Sequence, residues 1–156
     1  AAFDGSLGED HPEESHLIPN ILKKALKGEE VEIFGSDYDT PDGTCIRDYI
    51  HVLDLVETHA IALKKLLEGA ESNFYNVGIG KGYSNGEVIE MVQKVTGLTL
   101  KVKYSPRRAG DAGELTASIE KIKKDFGWQP KFGLKEIIES AYKWHKSHLE
   151  GYATMK

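Results

Sequence analysis

The sequence predicts an α/β fold, with α+β as the alternative, and three observations predict it. Apolar stripes at helical spacing alternate with short β-rich runs along the whole chain. Glycines close the helical stripes at Gly28, Gly69, Gly97 and Gly127, where a left-handed terminus suits a residue without Cβ. With 40% hydrophobic and 29% charged residues, the 156-residue chain is globular rather than disordered or fibrous.

The elements follow in order. The first ten residues are polar and glycine-rich and read as loop. Leu17, Ile18, Ile21, Leu22, Ala25 and Leu26 then form one face of a helix, with Ser15 near its start and Gly28 at its end. Val31 to Phe34 reads as a strand, and Gly35 to Thr44 as a turn-rich loop carrying three Asp, one Pro and two Gly. Cys45 to Val52 is β-rich. Asp54, with Glu57 three residues on, predicts a capping box for a helix to about Leu67, whose apolar face holds Leu55, Val56, His59, Leu63 and Leu66. Asn73 to Val77 reads as a strand, and Ser84 with Glu87 as a second capping box for a helix ending at Gly97. Thr99 to Tyr104 is a further strand. A short helix runs from Ser118 to Gly127, and a final one from Leu134 to His148. Four short strands make a thin sheet, which predicts a neighbouring domain. The chain also starts with Ala rather than Met, so it is expected to begin inside a longer protein or at a processed terminus.

Composition excludes several classes. A net charge of −5 argues against general nucleic-acid affinity. No apolar run reaches the length of a membrane span, and no signal peptide is visible at the first residues. One cysteine, Cys45, rules out an internal disulfide and any multi-cysteine zinc site, and suits a reducing cytoplasm. The six His show no metal signature by spacing. Of 20 basic residues only three are Arg: Arg47, Arg107 and Arg108. Lys solvates the surface, whereas a planar guanidinium fork matches a phosphate or carboxylate. The two Arg motifs therefore either hold an anion or form structural ion pairs.

Two motifs resemble cofactor chemistry and are read as structural. Gly78-x-Gly80-x-Gly82 lacks the G-x-G-x-x-G spacing and a following acidic residue for a ribose, so it reads as a packing turn. Tyr142-x-x-x-Lys146 sits on the apolar stripe of the last helix, with Tyr142 as core or rim and Lys146 solvated. Cys45 reads as a packed, inert thiol.

The run from Ile33 to Val52, IFGSDYDTPDGTCIRDYIHV, closely resembles the UDP-glucose 4-epimerases, a group of extended short-chain dehydrogenases/reductases. Gly8-Glu9-Asp10, His16-Leu17-Ile18-Pro19, Tyr75-Asn76-Val77-Gly78, Pro106 to Asp111 and Phe126-Gly127-Trp128 fit the same family in the same order. The resemblance covers residues 1–156 but only the C-terminal, UDP-sugar-binding half of such a protein. The N-terminal Rossmann domain, with its NAD site and catalytic Tyr and Lys, would lie outside the chain. Residues 45–68 would be a strand–helix segment that crosses back to pack on that missing domain.

The resemblance implies interconversion of UDP-glucose and UDP-galactose by NAD-mediated oxidation and re-reduction at C4. This half would hold the UDP-hexose, no catalytic residue would lie within it, and it would be inactive alone. The parent would be a cytoplasmic homodimer. By position, Arg47 and Arg108 would pair with the diphosphate and Asp111 with the ribose hydroxyls. Phe34 and the backbone near Glu32 would line the uracil, and Leu17 and Tyr49 would complete the pocket. His16 stands where many members carry Asn, and Asn85 where an aliphatic residue is frequent. Leu115 takes a place where Tyr excludes N-acetyl sugars and smaller residues admit them. Arg107 would point elsewhere. A sugar-nucleotide dehydratase or decarboxylase, or a stand-alone nucleotide-sugar-binding module, are the alternatives.

Overall fold

A computed structural model describes residues 1–152. Its core is a helical layer against one face of a short parallel sheet. Helices α1 (Leu17–Lys27), α3 (Asn85–Thr96) and α5 (Leu134–Ser147) pack on strand β1 (Glu30–Phe34). Ile21, Leu22, Ile33, Val88, Val92 and Ile138 are excluded from water there. Each such side chain contributes roughly 1.5–3 kcal/mol on burial. The stripes read in the sequence for α1, α3 and α5 are therefore the core.

Two small sheets carry the strands. In the first, β1 pairs in parallel with β4 (Lys101–Ser105), and Phe34 lies opposite Ser105. In the second, β2 (Ile46–Asp48) is central. It runs antiparallel to β3 (Gly82–Ser84) and parallel to β5 (Glu114–Leu115). The α/β class holds, but several expected elements differ. The β-rich run from Cys45 to Val52 is a strand only over its middle, because Val52 already opens helix α2 (Val52–Leu67). Asn73 to Val77 is not a strand. Phe74 is almost fully exposed, and the segment is held by side chains instead: Lys121 Nζ donates to the Phe74 carbonyl at 2.7 Å. β3 and β5, too short for any pattern, were not expected.

Helix termini separate two kinds of prediction. Ser84 forms the expected capping box: its hydroxyl accepts from Glu87 N at 3.0 Å, and Glu87 Oε2 accepts from Ser84 N at 2.8 Å. Asp54 does not cap α2. His51 does, its Nδ1 accepting from Leu53 N at 3.1 Å, while the buried Asp54 carboxylate accepts from Lys131 N and Phe132 N. Ser15 likewise does not cap α1: the N-cap position is His16, which makes no side-chain cap bond. The short helix α4 (Glu120–Phe126) ends at Gly127 as expected.

The apolar face of α2 is uncovered. Leu63, Leu66 and Val56 are each more than half exposed, and Leu67 is 81% exposed. Those residues read as inward-facing in the sequence find no partner among the described residues. No helix of the described chain is long and apolar enough to cross a membrane.

Candidate functional site

The parallel register of the two sheets builds the site. Because β1 and β4 run together, Phe34 and the loop after Ser105 emerge at the same edge, and Gly35 N donates to the Ser105 carbonyl at 2.8 Å. Gly35 has φ +82°, and a Cβ there would meet the Tyr38 ring at 2.2 Å, so only glycine allows this exit. In the second sheet Ile46 N donates to Gly113 O at 2.8 Å, which draws the 108–111 loop against the start of β2. Residues sixty positions apart are thereby brought to one cleft.

That cleft has a volume of about 680 Å³, within the range of small-molecule sites. Nine of the ten residues expected to bind substrate line it. Asp111 stands between the two arginines. Its Oδ2 accepts from Arg108 Nε at 3.1 Å, and its Oδ1 lies 3.9 Å from Arg47 Nη2. Arg47 is fixed further by donation from Nη1 to the Ile46 carbonyl at 2.7 Å. The Arg108 guanidinium lies over the Phe34 ring, 4.8 Å from its centroid. Two guanidinium groups thus share one carboxylate, leaving cationic donors for an anion and an aromatic face beside them.

The remaining residues frame this centre. Tyr49 is half-buried, its hydroxyl is enclosed without a partner, and burial pushes the phenol up to about 12, against the opposing pull of Arg47. It is a neutral donor at physiological pH. Glu32 Oε1 accepts from Ser105 Oγ, so its side chain is tied to β4. Leu17 opens α1 and packs on the core, and Asn85 opens α3 with its N–H donated to the Cys45 carbonyl at 3.0 Å. His16 is exposed at the rim, with Nδ1 2.8 Å from Glu14 Oε1. Leu115 is the exception. It is 58% exposed on β5, opposite Arg47 in register, and does not line the cleft.

Arg107 faces away, as expected. Its Nε donates to Asp37 Oδ1 at 2.7 Å and its guanidinium covers the Tyr38 ring at 4.1 Å. Cys45 is buried, as expected for a packed thiol. Sequence reasoning missed Asp48. Its carboxylate accepts from Ile79 N at 2.9 Å, Gly80 N at 3.0 Å and Ala117 N at 3.2 Å, joining three segments under the cleft. A Cβ at Gly78 would come within 2.4 Å of Asp48 Oδ2. Gly78 is therefore explained by this contact, while a Cβ at Gly82 would meet Ile46 at 2.3 Å. The Ile79 and Gly80 N–H groups already have a carboxylate acceptor, so the turn does not fit a dinucleotide pyrophosphate. Tyr142 and Lys146 lie on α5 with Lys146 Nζ 5.8 Å from the Tyr142 ring centroid, and neither lines the cleft.

Known proteins share this sequence and geometry. The family described as NAD dependent epimerase/dehydratase matches residues 5–78. The UDP-glucose 4-epimerase of Lactobacillus helveticus is 48% identical over 154 residues, 97% of this chain and 47% of that protein. A crystal structure of a UDP-glucose 4-epimerase superimposes with a TM-score of 0.94 at 49% identity, covering 99% of this chain and 47% of its own. The Bifidobacterium longum UDP-glucose 4-epimerase, solved with NAD+ and UDP, gives a TM-score of 0.86 at 35% identity, covering 97% of this chain and 46% of its own. The chain spans about half the length of the curated relatives it matches. Sequence and fold make it a relative of the UDP-glucose 4-epimerases over about half their length, with residues 5–78 matching the NAD dependent epimerase/dehydratase family.

Proposed function

We propose that this chain is the UDP-sugar-holding, C-terminal half of an enzyme that interconverts UDP-glucose and UDP-galactose. The observation that carries this reading is the convergence of Arg47 and Arg108 on Asp111 in one cleft beside Phe34. Two forked cations held by one carboxylate suit the two phosphates of a diphosphate, and the aromatic edge suits a base. With the phosphates bound, Asp111 is free to turn one oxygen toward the ribose hydroxyls. Tyr49 supplies one more neutral donor from the cleft wall. The work of these side chains is to bind and orient, which fixes the nucleotide while the hexose is presented elsewhere.

NAD would supply the hydride chemistry, but the residues present do not fit it. The Gly78–Gly82 turn is occupied by Asp48, and Tyr142 and Lys146 lie away from the cleft. No catalytic step is assigned to this half. We place NAD and the catalytic base on a Rossmann domain that precedes this chain in the full-length protein. The uncovered α2 face, with Val56, Leu63, Leu66 and Leu67, is the surface that would seat against it. The dehydratase and the stand-alone module are not favoured, because relatives 48% and 49% identical to this chain are UDP-glucose 4-epimerases.

The test is a comparison of the 156-residue chain with the full-length protein. The full-length protein should convert UDP-galactose to UDP-glucose, and the chain alone, with NAD added, should not. Turnover by the chain alone would overturn the division of labour. Failure of the full-length protein to bind UDP would overturn the site.

A further inference from the structure

The six histidines carry no metal-ligand spacing along the sequence, but folding gathers two of them with two acids at the cleft rim. His11 Nε2 lies 2.7 Å from Glu9 Oε1, and His16 Nδ1 lies 3.1 Å from the same oxygen. The Glu9, His11 and His16 ligand atoms all fall within 4.8 Å of one another. A fourth group, Glu14, borders the cluster outside that limit. Glu14 Oε1 is 2.8 Å from His16 Nδ1, its side chain is only 6% exposed, and its Oε2 is buried with no partner. The loop that presents them is braced from below, since Trp144 Nε1 donates to the Glu9 carbonyl at 3.2 Å and Asn20 Nδ2 to the Glu14 carbonyl at 3.0 Å.

We propose that Glu9, His11 and His16 form a site for a borderline divalent transition metal such as Zn²⁺, with Glu14 turning in from beside His16 as the fourth ligand. Imidazole nitrogen with carboxylate oxygen is a zinc donor set, whereas Mg²⁺ and Ca²⁺ favour oxygen alone. Two carboxylates and two neutral imidazoles balance a dication. The edge of a tetrahedron built on Zn–ligand lengths near 2.0 Å is roughly 3.3 Å, so contacts of 2.7 and 3.1 Å need only a small expansion. The metal takes the place of the protons that now bridge these groups. A buried carboxylate with an unpartnered oxygen is costly without such a cation. His16 also lines the nucleotide cleft whereas His11 does not, so variants of His11 test the metal site apart from that reading.

The experiment is a calorimetric titration of the metal-free full-length protein with Zn²⁺, and with Mg²⁺ as the comparison ion. One Zn²⁺ should bind per chain, with a rise in melting temperature, and Mg²⁺ should not compete. Co²⁺ in place of Zn²⁺ should give the visible absorption of a four-coordinate site. His11→Ala should weaken Zn²⁺ at least tenfold, and His11→Cys, which keeps a ligand at an exposed position, should retain most of the affinity. Absence of Zn²⁺ binding, undiminished binding in His11→Ala, or equal binding of Mg²⁺ would each overturn the assignment.

Discussion

Asp111 Oδ2 accepts from Arg108 Nε at 3.1 Å while the opposite oxygen faces Arg47, so one carboxylate aims two guanidinium groups at a common point. Lys at position 108 keeps the charge and loses the planar fork. In the full-length protein Arg108→Lys should weaken UDP binding by about 1–3 kcal/mol, the range of a hydrogen bond to a charged group. Arg107→Lys should change it far less, because Arg107 is engaged by Asp37 and Tyr38 outside the cleft. Calorimetric titration with UDP reads both. Equal losses from the two substitutions would refute the pairing.

Asp48 is a structural counterpart to that pair. Its carboxylate satisfies three backbone N–H groups on two segments far apart in sequence. Asp48→Ala should destabilise the fold by about 2–3 kcal/mol, since part-buried donors lose a charged acceptor. Asp48→Asn retains one carbonyl acceptor and should lose less. Urea unfolding of both variants decides, and an Asp48→Ala midpoint equal to that of the parent chain would show that the three bonds carry no net stability.

The α2 face offers a differential test. Leu63 and Leu66 are already in water in this chain, so Leu63→Lys or Leu66→Lys should shift its stability by no more than about 0.5 kcal/mol. In the full-length protein the same substitutions should cost about 1.5 kcal/mol or more, from lost apolar burial and a desolvated ammonium. Thermal melts of the two forms side by side measure this. An equal, small effect in both would mean that no domain covers the face.

His145 sets an acid limit on stability. It is 1% exposed, its Nδ1 has no partner, and burial lowers its pKa from the ordinary value to about 4. Lys23 pushes the same way, while Glu14 and Glu9 oppose. The folded pKa lies below the unfolded one, so the unfolded chain takes up the proton first. Stability is therefore full above pH 6.5 and falls as pH drops from there toward 4, at up to about 1.4 kcal/mol per pH unit. His51, lowered by the same cause, adds in the same direction. A His145→Phe variant should flatten the slope of unfolding free energy against pH between 6.5 and 4.5. An unchanged slope would assign the acid sensitivity to other groups.

Local chemistry made the helices legible in the sequence. The stripes of α1, α3 and α5 and the glycine ends at 28, 97 and 127 depend on neighbours three or four residues away, and they stand as read. The Ser84 capping box is equally local. Asp54 shows the limit of that logic. Its pattern is that of a cap, but the carboxylate has a stronger use 77 residues on, at Lys131 N, and His51 takes the cap instead. Asn73 to Val77 has strand composition and no strand beside it.

For the site, motif order along the chain named the residues, and nine of the ten do share a cleft. Their meeting is a product of the parallel β1–β4 and β2–β5 registers, which no local pattern encodes because each partner lies about 70 residues away. Leu115 was named on the same grounds and lies on the strand beside Arg47, turned to solvent. Asp48 was invisible for a related reason. A carboxylate or imidazole acquires its role from the atoms that surround it, and those atoms arrive only when distant segments pack. Residue type and spacing set which chemistry the chain can offer; strand register and loop packing decided where that chemistry comes together.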